Sequence, residues 1–429
     1  MYRASIGGRD AARSLYRHAM TRIMTEALPP LSGRRGWSMM SLAVAAVLMS
    51  WSPAPTLTQR FCDALSVLDQ ALPRRRRTGR TYQGFIKSLT LHSGMLIDQI
   101  VIHLREKSRT CAGRHWQTGE LVPIGADSSK FDAPRTKSNE ALGLAGKDKC
   151  CPQMVLLLLI HLGSKLPWAW KIGNANAAER TLLRDLLDQL PPNAILVADA
   201  GFTGYDLLRE LQRRGLHFLI RVGNNVRLLK ELGEYSRENK HTVYMWPLTR
   251  RARRPLTLRL ILVGNTYLVT NVLEPTRLSH KAAADLYRLR WAIEITFRSL
   301  KQTLRRHALR SGTARHCRLE LAWAIIGLWA LCLIGAVALA RAHIQPDWLS
   351  VAAALAAVRN AARRPDKLSE LRRALQSARL DGYPRRGPKA SRSWPRKKDP
   401  PKIKAPVITV ATALEVRQAQ RVRAKAHGA

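Results

Sequence analysis

From about residue 119 to 222 the apolar positions fall in short runs separated by polar punctuation: Leu121–Ala126, Met154–Leu162 (MVLLLLIHL), Leu166–Ile172 (LPWAWKI), Ala194–Ala198 (AILVA) and Leu216–Val222 (LHFLIRV). Runs this short, bounded by Gly, Pro and Asp, predict buried strands. Between the third and fourth, Asn176 stands where it can cap a helix through Leu190, and Pro191-Pro192 stop it. Gly201 and Gly204 turn the chain into a second helix, Tyr205–Arg214, which Gly215 ends. The order β-β-β-α-β-α-β predicts an antiparallel start followed by right-handed parallel crossovers, a mixed α/β sheet with helices on both faces.

The pattern then changes twice. Thr242–Trp246, Leu256–Val263 and Tyr267–Val272 predict a strand-rich insertion over about 223–275. Helical spacing returns at Ser279, a candidate N-cap, and runs past Lys301. Leu321–Ala340 (LAWAIIGLWALCLIGAVALA) carries no charge and is long enough to span a bilayer. Its Ala and Gly content carries little transfer energy and it follows a charged helix, so a helix buried in a protein core is the expectation.

Composition narrows the partners. Lys+Arg number 72 against 30 Asp+Glu, a formal charge of +42, which draws polyanions through counterion release. Nucleic acid is the implied partner. Hydrophobic residues at 46% exclude a wholly disordered basic protein. The six cysteines show no CxxC spacing, which gives no sign of a zinc site or a disulfide framework. Arg34-Arg35 before Met39–Met49 superficially looks like a twin-arginine leader. The apolar run is short and set far in, so a cytoplasmic, nucleoid-associated location is expected.

Four regions follow: 1–115, basic and mainly helical, with the block Arg74–Arg77 and Arg80; 116–345, the sheet-bearing region; 346–380, a helical segment; and 381–429, a basic Pro/Lys/Arg-rich tail expected to be disordered.

The candidate chemistry sits in the second region. Asp127 and Asp199 are predicted at the C-terminal ends of apolar strands, where open α/β sheets place their sites. Tyr287, Arg290, Glu294 and Lys301 fall at roughly 0°, −60°, −20° and −40° around a straight helix, one narrow face carrying a carboxylate among cationic and aromatic groups. An ordinary exposed face with i,i+3 and i,i+4 pairs has the same pattern, so spacing alone leaves both readings open.

A resemblance separates them. Tyr287-x2-Arg290-x3-Glu294-x6-Lys301, written YRLRWAIEITFRSLK, resembles the Tyr-Arg-Glu-Lys signature of cut-and-paste DDE transposases encoded by bacterial insertion sequences. GADSSKFDAPRTKSNEALG resembles that family's first-Asp block and VADAGFTGYDLLRELQRRGLHFLIRV its second, so the likeness covers about 120–305. It departs at Ser128-Ser129, where Gly then Thr or Ser is usual, and at Ala200, where Arg is frequent.

The resemblance implies an RNase H-like mixed sheet flanked by helices, with a β-strand insertion between the second Asp and the Glu. It implies that Asp127, Asp199 and Glu294 are catalytic and hold Mg²⁺, with Mn²⁺ as a substitute, in a two-metal site. Tyr287, Arg290 and Lys301 would grip the DNA. The implied partners are the inverted-repeat ends of a transposon, target DNA and a second copy in a paired-end complex, with no membrane partner. Asp132 is an alternative first carboxylate; Asp206 and Glu179 read as first-turn helix acids. Competing functions are a non-transposing nuclease on the same core, an inactive relic that only binds DNA, and a polybasic protein anchored to a membrane by Leu321–Ala340.

Overall fold

The five apolar runs all become strands. A computed structural model describes residues 37–71, 79–144, 151–363, 368–380 and 405–427. In chain order its elements are α1 (Met39–Trp51), α2 (Leu57–Ala71), α3 (Tyr82–Ala112), β1 (Val122–Asp132), β2 (Gln153–His161), β3 (Leu166–Asn174), α4 (Glu179–Arg184), β4 (Ala194–Ala198), α5 (Tyr205–Arg213), β5 (His217–Val222), β6 (Arg227–Lys230), β7 (Thr242–Met245), β8 (Leu256–Val263), β9 (Thr266–Thr270), α6 (His280–Leu289), α7 (Trp291–Arg298), α8 (Ala314–Arg341), α9 (Val351–Arg363), α10 (Leu368–Gln376), β10 (Val407–Val410) and α11 (Ala413–His427). They divide into two compact units, one of residues 1–116, 128–177 and 292–380, the other of 117–127, 178–291 and 381–429.

The first unit is mainly helical. Its apolar axis is α8, whose residues from Leu321 to Leu333 are all buried. By length and composition α8 is the one helix among the described residues that could cross a membrane, yet 89% of its most apolar window is buried inside protein. The packing explains why. Trp323 Nε1 donates to Ser93 Oγ at 3.0 Å and Trp329 Nε1 to Ser108 Oγ at 2.9 Å, so α3 satisfies both indoles. On another face Trp51 Nε1 donates to Gly327 O at 2.8 Å, and a Cβ at Gly327 would lie 1.8 Å from Ser50 Oγ. Glycine there lets α1 reach the α8 backbone. In the same unit β2 and β3 form an antiparallel hairpin, from Met154 opposite Asn174 to His161 opposite Leu166.

The second unit carries a mixed sheet in the order β10-β6-β7-β8-β9-β5-β4-β1. The strands β1, β4 and β5 are parallel neighbours, with Ala126 opposite Ala198 and Ala198 opposite Ile220. From β5 through β9, β8, β7 and β6 the pairing is antiparallel, and β10 adds to β6 in parallel. The helices α5 and α6 pack on this sheet, α5 on β5 and β8, α6 on β8 and β4.

The structure corrects several expectations. The helix expected from Asn176 to Leu190 is only α4 plus a 3-10 turn at Leu187–Gln189, entered from Ala178, which makes no side-chain cap. Asp127 lies inside β1, not at its end, because the strand continues through Asp132 after its pairing with β4 stops at Ala126. The single long helix is broken. At Arg290 the amide reaches back to Tyr287 O at 3.2 Å, a tighter step that separates α6 from α7, and Ser299–Thr303 then open into a π-helical turn. The uniform 100° step therefore does not hold from Tyr287 to Lys301. Disorder through the C-terminus is also too broad. Residues 405–427 form β10 and α11, since Val407–Val410 finds four partners on the edge of β6 and Glu415 pairs with Arg251 at 2.6 Å. The rest of that tail, the Arg34-Arg35 pair and Arg74–Arg77 lie outside the described residues.

Candidate active site

In the second unit three parallel strands lead into one group of polar residues. Ala126, Ala198 and Ile220 are in register, and Asp127, Asp199 and Arg221 follow them in the chain; Arg290 pairs with Asp127, and Tyr287 feels the charges of Asp199, Arg221 and Arg290. The stretches before Asp127 and Asp199, VPIGA and AILVA, are apolar.

Asp199 is held by its own turn. Its backbone is extended, and its Oδ1 accepts the Gly201 N–H at 2.8 Å, starting the 3-10 turn Ala200–Phe202. A Cβ at Gly201 would sit 3.1 Å from both Asp199 Oδ1 and Glu179 Oε2, so glycine lets two carboxylates crowd one turn. Glu179 is indeed in the first turn of α4, and it also approaches Asp199. Arg180 Nε fixes the same turn by donating to Gly201 O at 2.8 Å, and Thr203 Oγ1 ties it to β5 through Arg221 O at 2.9 Å.

The helix α6 adds the cationic and aromatic groups. Arg290 Nη1 lies 3.5 Å from Asp127 Oδ2, their side chains 13% and 21% exposed, and its guanidinium carbon is 5.7 Å from the Tyr287 ring centre. Burial pushes the Tyr287 phenol above its ordinary pKa; Arg221 and Arg290 pull it down and Asp199 pushes it up. Tyr287 is therefore a neutral hydrogen-bond donor at neutral pH. Arg221 was not singled out from the sequence, although a cation ending the apolar run LHFLIRV is a visible signal. Its Nε is buried and has no hydrogen-bond partner among the described residues.

The unit thus assembles Asp127, Asp199, Tyr287 and Arg290, with Arg221 and Glu179 beside them. Glu294 and Lys301 belong to the first unit. Glu294 is half-buried in the first turn of α7. Lys301 lies in the π turn with its Nζ 5.0 Å from the Phe131 ring centre; burial lowers its pKa and Asp132 raises it. Asp132 is a structural residue, its Oδ1 accepting from Gln153 Nε2 at 2.6 Å.

Among the described residues no three or more His, Cys, Asp or Glu side chains form a group that could hold a metal by themselves. The donor chemistry nonetheless fits Mg²⁺, which takes one or two carboxylates and completes its octahedron with water and substrate oxygens. Asp127 and Asp199 are two hard oxygen donors, each next after a paired residue of neighbouring parallel strands. Carboxylates flanked by guanidiniums suit phosphoryl chemistry: the first group binds cations, the second phosphate oxygens.

Residues 123–331 match the family model described as a transposase DDE domain. This part of the chain is similar to transposase DDE domains. The chain is 26% identical over 257 residues to "Transposase InsG for insertion sequence element IS4" of Escherichia coli (strain K12), which covers 54% of this chain and 56% of that protein. The chain therefore spans about half the length of the curated relative it matches. Among solved structures, a cryo-EM piggyBac transposase synaptic complex with hairpin DNA aligns with TM-score 0.41 and 12% identity, over 88% of this chain and 86% of that one.

Proposed function

We propose that the protein is a transposase that cuts DNA at the ends of its own insertion element and joins the freed 3′ ends to target DNA. The observation that carries this reading is Arg290 against Asp127, with Tyr287 within electrostatic reach of Asp199, Arg221 and Arg290, inside the stretch that matches the DDE domain. The strand order, with the first Asp on β1 and the second after β4, supports an RNase H-like core with an insertion over about 223–275.

In this reading Asp127, Asp199 and Glu294 are the metal-binding carboxylates, Glu294 by its place in the Tyr-Arg-Glu-Lys signature. Mg²⁺, or Mn²⁺ in its stead, supplies two-ion activation of the attacking oxygen and stabilisation of the leaving one. The protein's own groups do the rest. Arg290 offers a forked guanidinium to a phosphate and balances the charge of Asp127 until DNA arrives. Tyr287, kept protonated, donates to a phosphate oxygen or stacks on a base. Lys301 adds a point charge for the same strand. Residues 1–115 would bind the transposon end, 116–345 would carry the chemistry, and the helical segment 346–380 and basic tail 381–429 would add non-specific backbone affinity. Two copies would act in a paired-end complex, in the cytoplasm at the nucleoid.

The test is cleavage of a DNA fragment carrying the gene's own flanking sequence, with Mg²⁺, by the full chain and by Glu294→Gln. Boundary-specific, metal-dependent cutting lost in the variant is the expected result. Equal cutting by both would remove Glu294 from the chemistry. Metal-dependent cutting with no boundary preference would favour a nuclease, and binding without cutting an inactive relic.

A further inference from the structure

The first unit holds a second cluster of arginines, remote in sequence from the DDE signature's strands. Arg60 and Arg306 are 4% and 2% exposed, and both line a cavity of about 50 Å³ together with Tyr82, Ser311, His316 and Glu320. Each guanidinium carries five N–H donors. Among the described residues Arg60 uses Nε on Ala54 O at 2.8 Å and Nη1 on Glu320 Oε1 at 3.3 Å, while Arg306 uses Nη2 on Met49 O at 3.1 Å and Ser50 O at 2.9 Å. The other N–H groups of both have no acceptor among those residues. Glu320 is spent elsewhere, its Oε2 accepting from Arg310 N, Ser311 N and Ser311 Oγ at 2.9, 3.0 and 2.9 Å.

Charge points the same way. Burial first, then Arg60, Arg359 and Arg310, lower the pKa of Arg306 to about 9, with Glu320 the opposing influence. Arg306 is still a cation at neutral pH. Buried charge is costly unless it is paired, and here several guanidiniums share one carboxylate. A water-sized occupant needs about 10–15 Å³, so the cavity has room for a few heavy atoms, enough for a tetrahedral oxyanion and too little for a nucleobase.

We propose that this cavity is an oxyanion site in which Arg60 and Arg306, assisted by the Tyr82 hydroxyl, bind one phosphoryl group. Arg306 already closes the C-terminal end of α1, Arg60 lies on α2, Tyr82 begins α3 and Ser311 precedes α8. A phosphoryl group there joins the N-terminal helices to α8. The site is independent of the carboxylate chemistry and does not depend on the transposase reading.

The test is thermal unfolding of the full chain in inorganic phosphate against chloride at equal ionic strength. Phosphate should raise the midpoint saturably, as a ligand of the folded state does. Tyr82→Phe and Arg306→Lys, each first shown folded by circular dichroism, should bind phosphate about tenfold more weakly, since one loses a donor and the other its fork. An oligonucleotide with a 5′-phosphate, beside its 5′-hydroxyl twin, separates the sources. Competition by the phosphorylated strand alone assigns the site to a DNA end, and indifference to both assigns it to free phosphate; either outcome upholds an oxyanion site. No advantage of phosphate over chloride, or an equal advantage in wild type and Tyr82→Phe, overturns it.

Discussion

Two arginine–carboxylate pairs in this protein have nearly the same geometry and opposite surroundings. Arg290 and Asp127 lie 3.5 Å apart at 13% and 21% side-chain exposure, at the edge of a sheet. Arg60 and Glu320 lie 3.3 Å apart at 4% and 8%, under three helices. The first pair retains access to water and to a ligand, so its partners can be exchanged. The second is more deeply buried and faces a small cavity, so removing Glu320 leaves the Arg60 charge with little water to solvate it. Contact distance alone does not set what such a pair costs or does; its exposure to water does.

The largest effect should come from the accessible site. Asp199→Asn keeps the turn hydrogen bond to Gly201 but removes a hard anionic ligand, and boundary cleavage should fall by about 10⁴-fold, between 5 and 6 kcal/mol in the barrier. Its urea unfolding midpoint should stay near wild type. Loss of folding along with cleavage would erase the contrast between the two pairs.

Glu320→Ala should do the reverse. Leaving Arg60 buried and unpaired should cost about 3–5 kcal/mol in denaturant unfolding. A change below about 1 kcal/mol would show that Arg60 is adequately solvated without Glu320.

A third measurement concerns a buried group with no charged partner. His161 has no exposed surface; its Nε2 donates to Trp116 O at 2.9 Å, its Nδ1 accepts from Ser164 N at 3.1 Å, and its ring stacks on Trp116 at 4.5 Å. Burial, partly offset by the Trp116 carbonyl, lowers its pKa from 6.5 to about 4. The unfolded state takes the proton first, so this stabilisation is full above pH 6.5 and drains away between there and about 4, about 3 kcal/mol in all. His161→Gln should flatten that limb of the stability profile; an unchanged limb would refute the assignment. Smallest is Gly327→Ala. The added Cβ would meet Ser50 Oγ at 1.8 Å, and overpacking should cost about 1–3 kcal/mol, read as a lower thermal midpoint with cleavage intact.

Much of this was legible along the chain. The runs AILVA and MVLLLLIHL became β4 and β2 within a residue, because strands buried on both faces need unbroken apolar sequence. Other elements were not. The strand β6, RLLK, is four residues long with two cations, and only its β7 and β10 neighbours make it a strand. The break at Arg290 has no Pro or Gly to announce it. Glu179 is the first-turn helix acid the sequence indicates, but only the fold shows that it lies at the Gly201 turn with Asp199.

What the sequence by itself determined is the local and the additive: strand runs, a basic surface, a core helix with enough Ala and Gly to pack closely, and the signature that names its kin. Those follow from periodicity and composition, which need no knowledge of distant neighbours. Tertiary structure decided which charges meet. Strand pairing and the packing of α6 brought Arg290 to Asp127 and Tyr287 within reach of the Asp199 and Arg221 charges, and helix packing buried Arg60 and Arg306 over one cavity. Burial and opposition between residues hundreds of positions apart set their energies, and no local pattern encodes them.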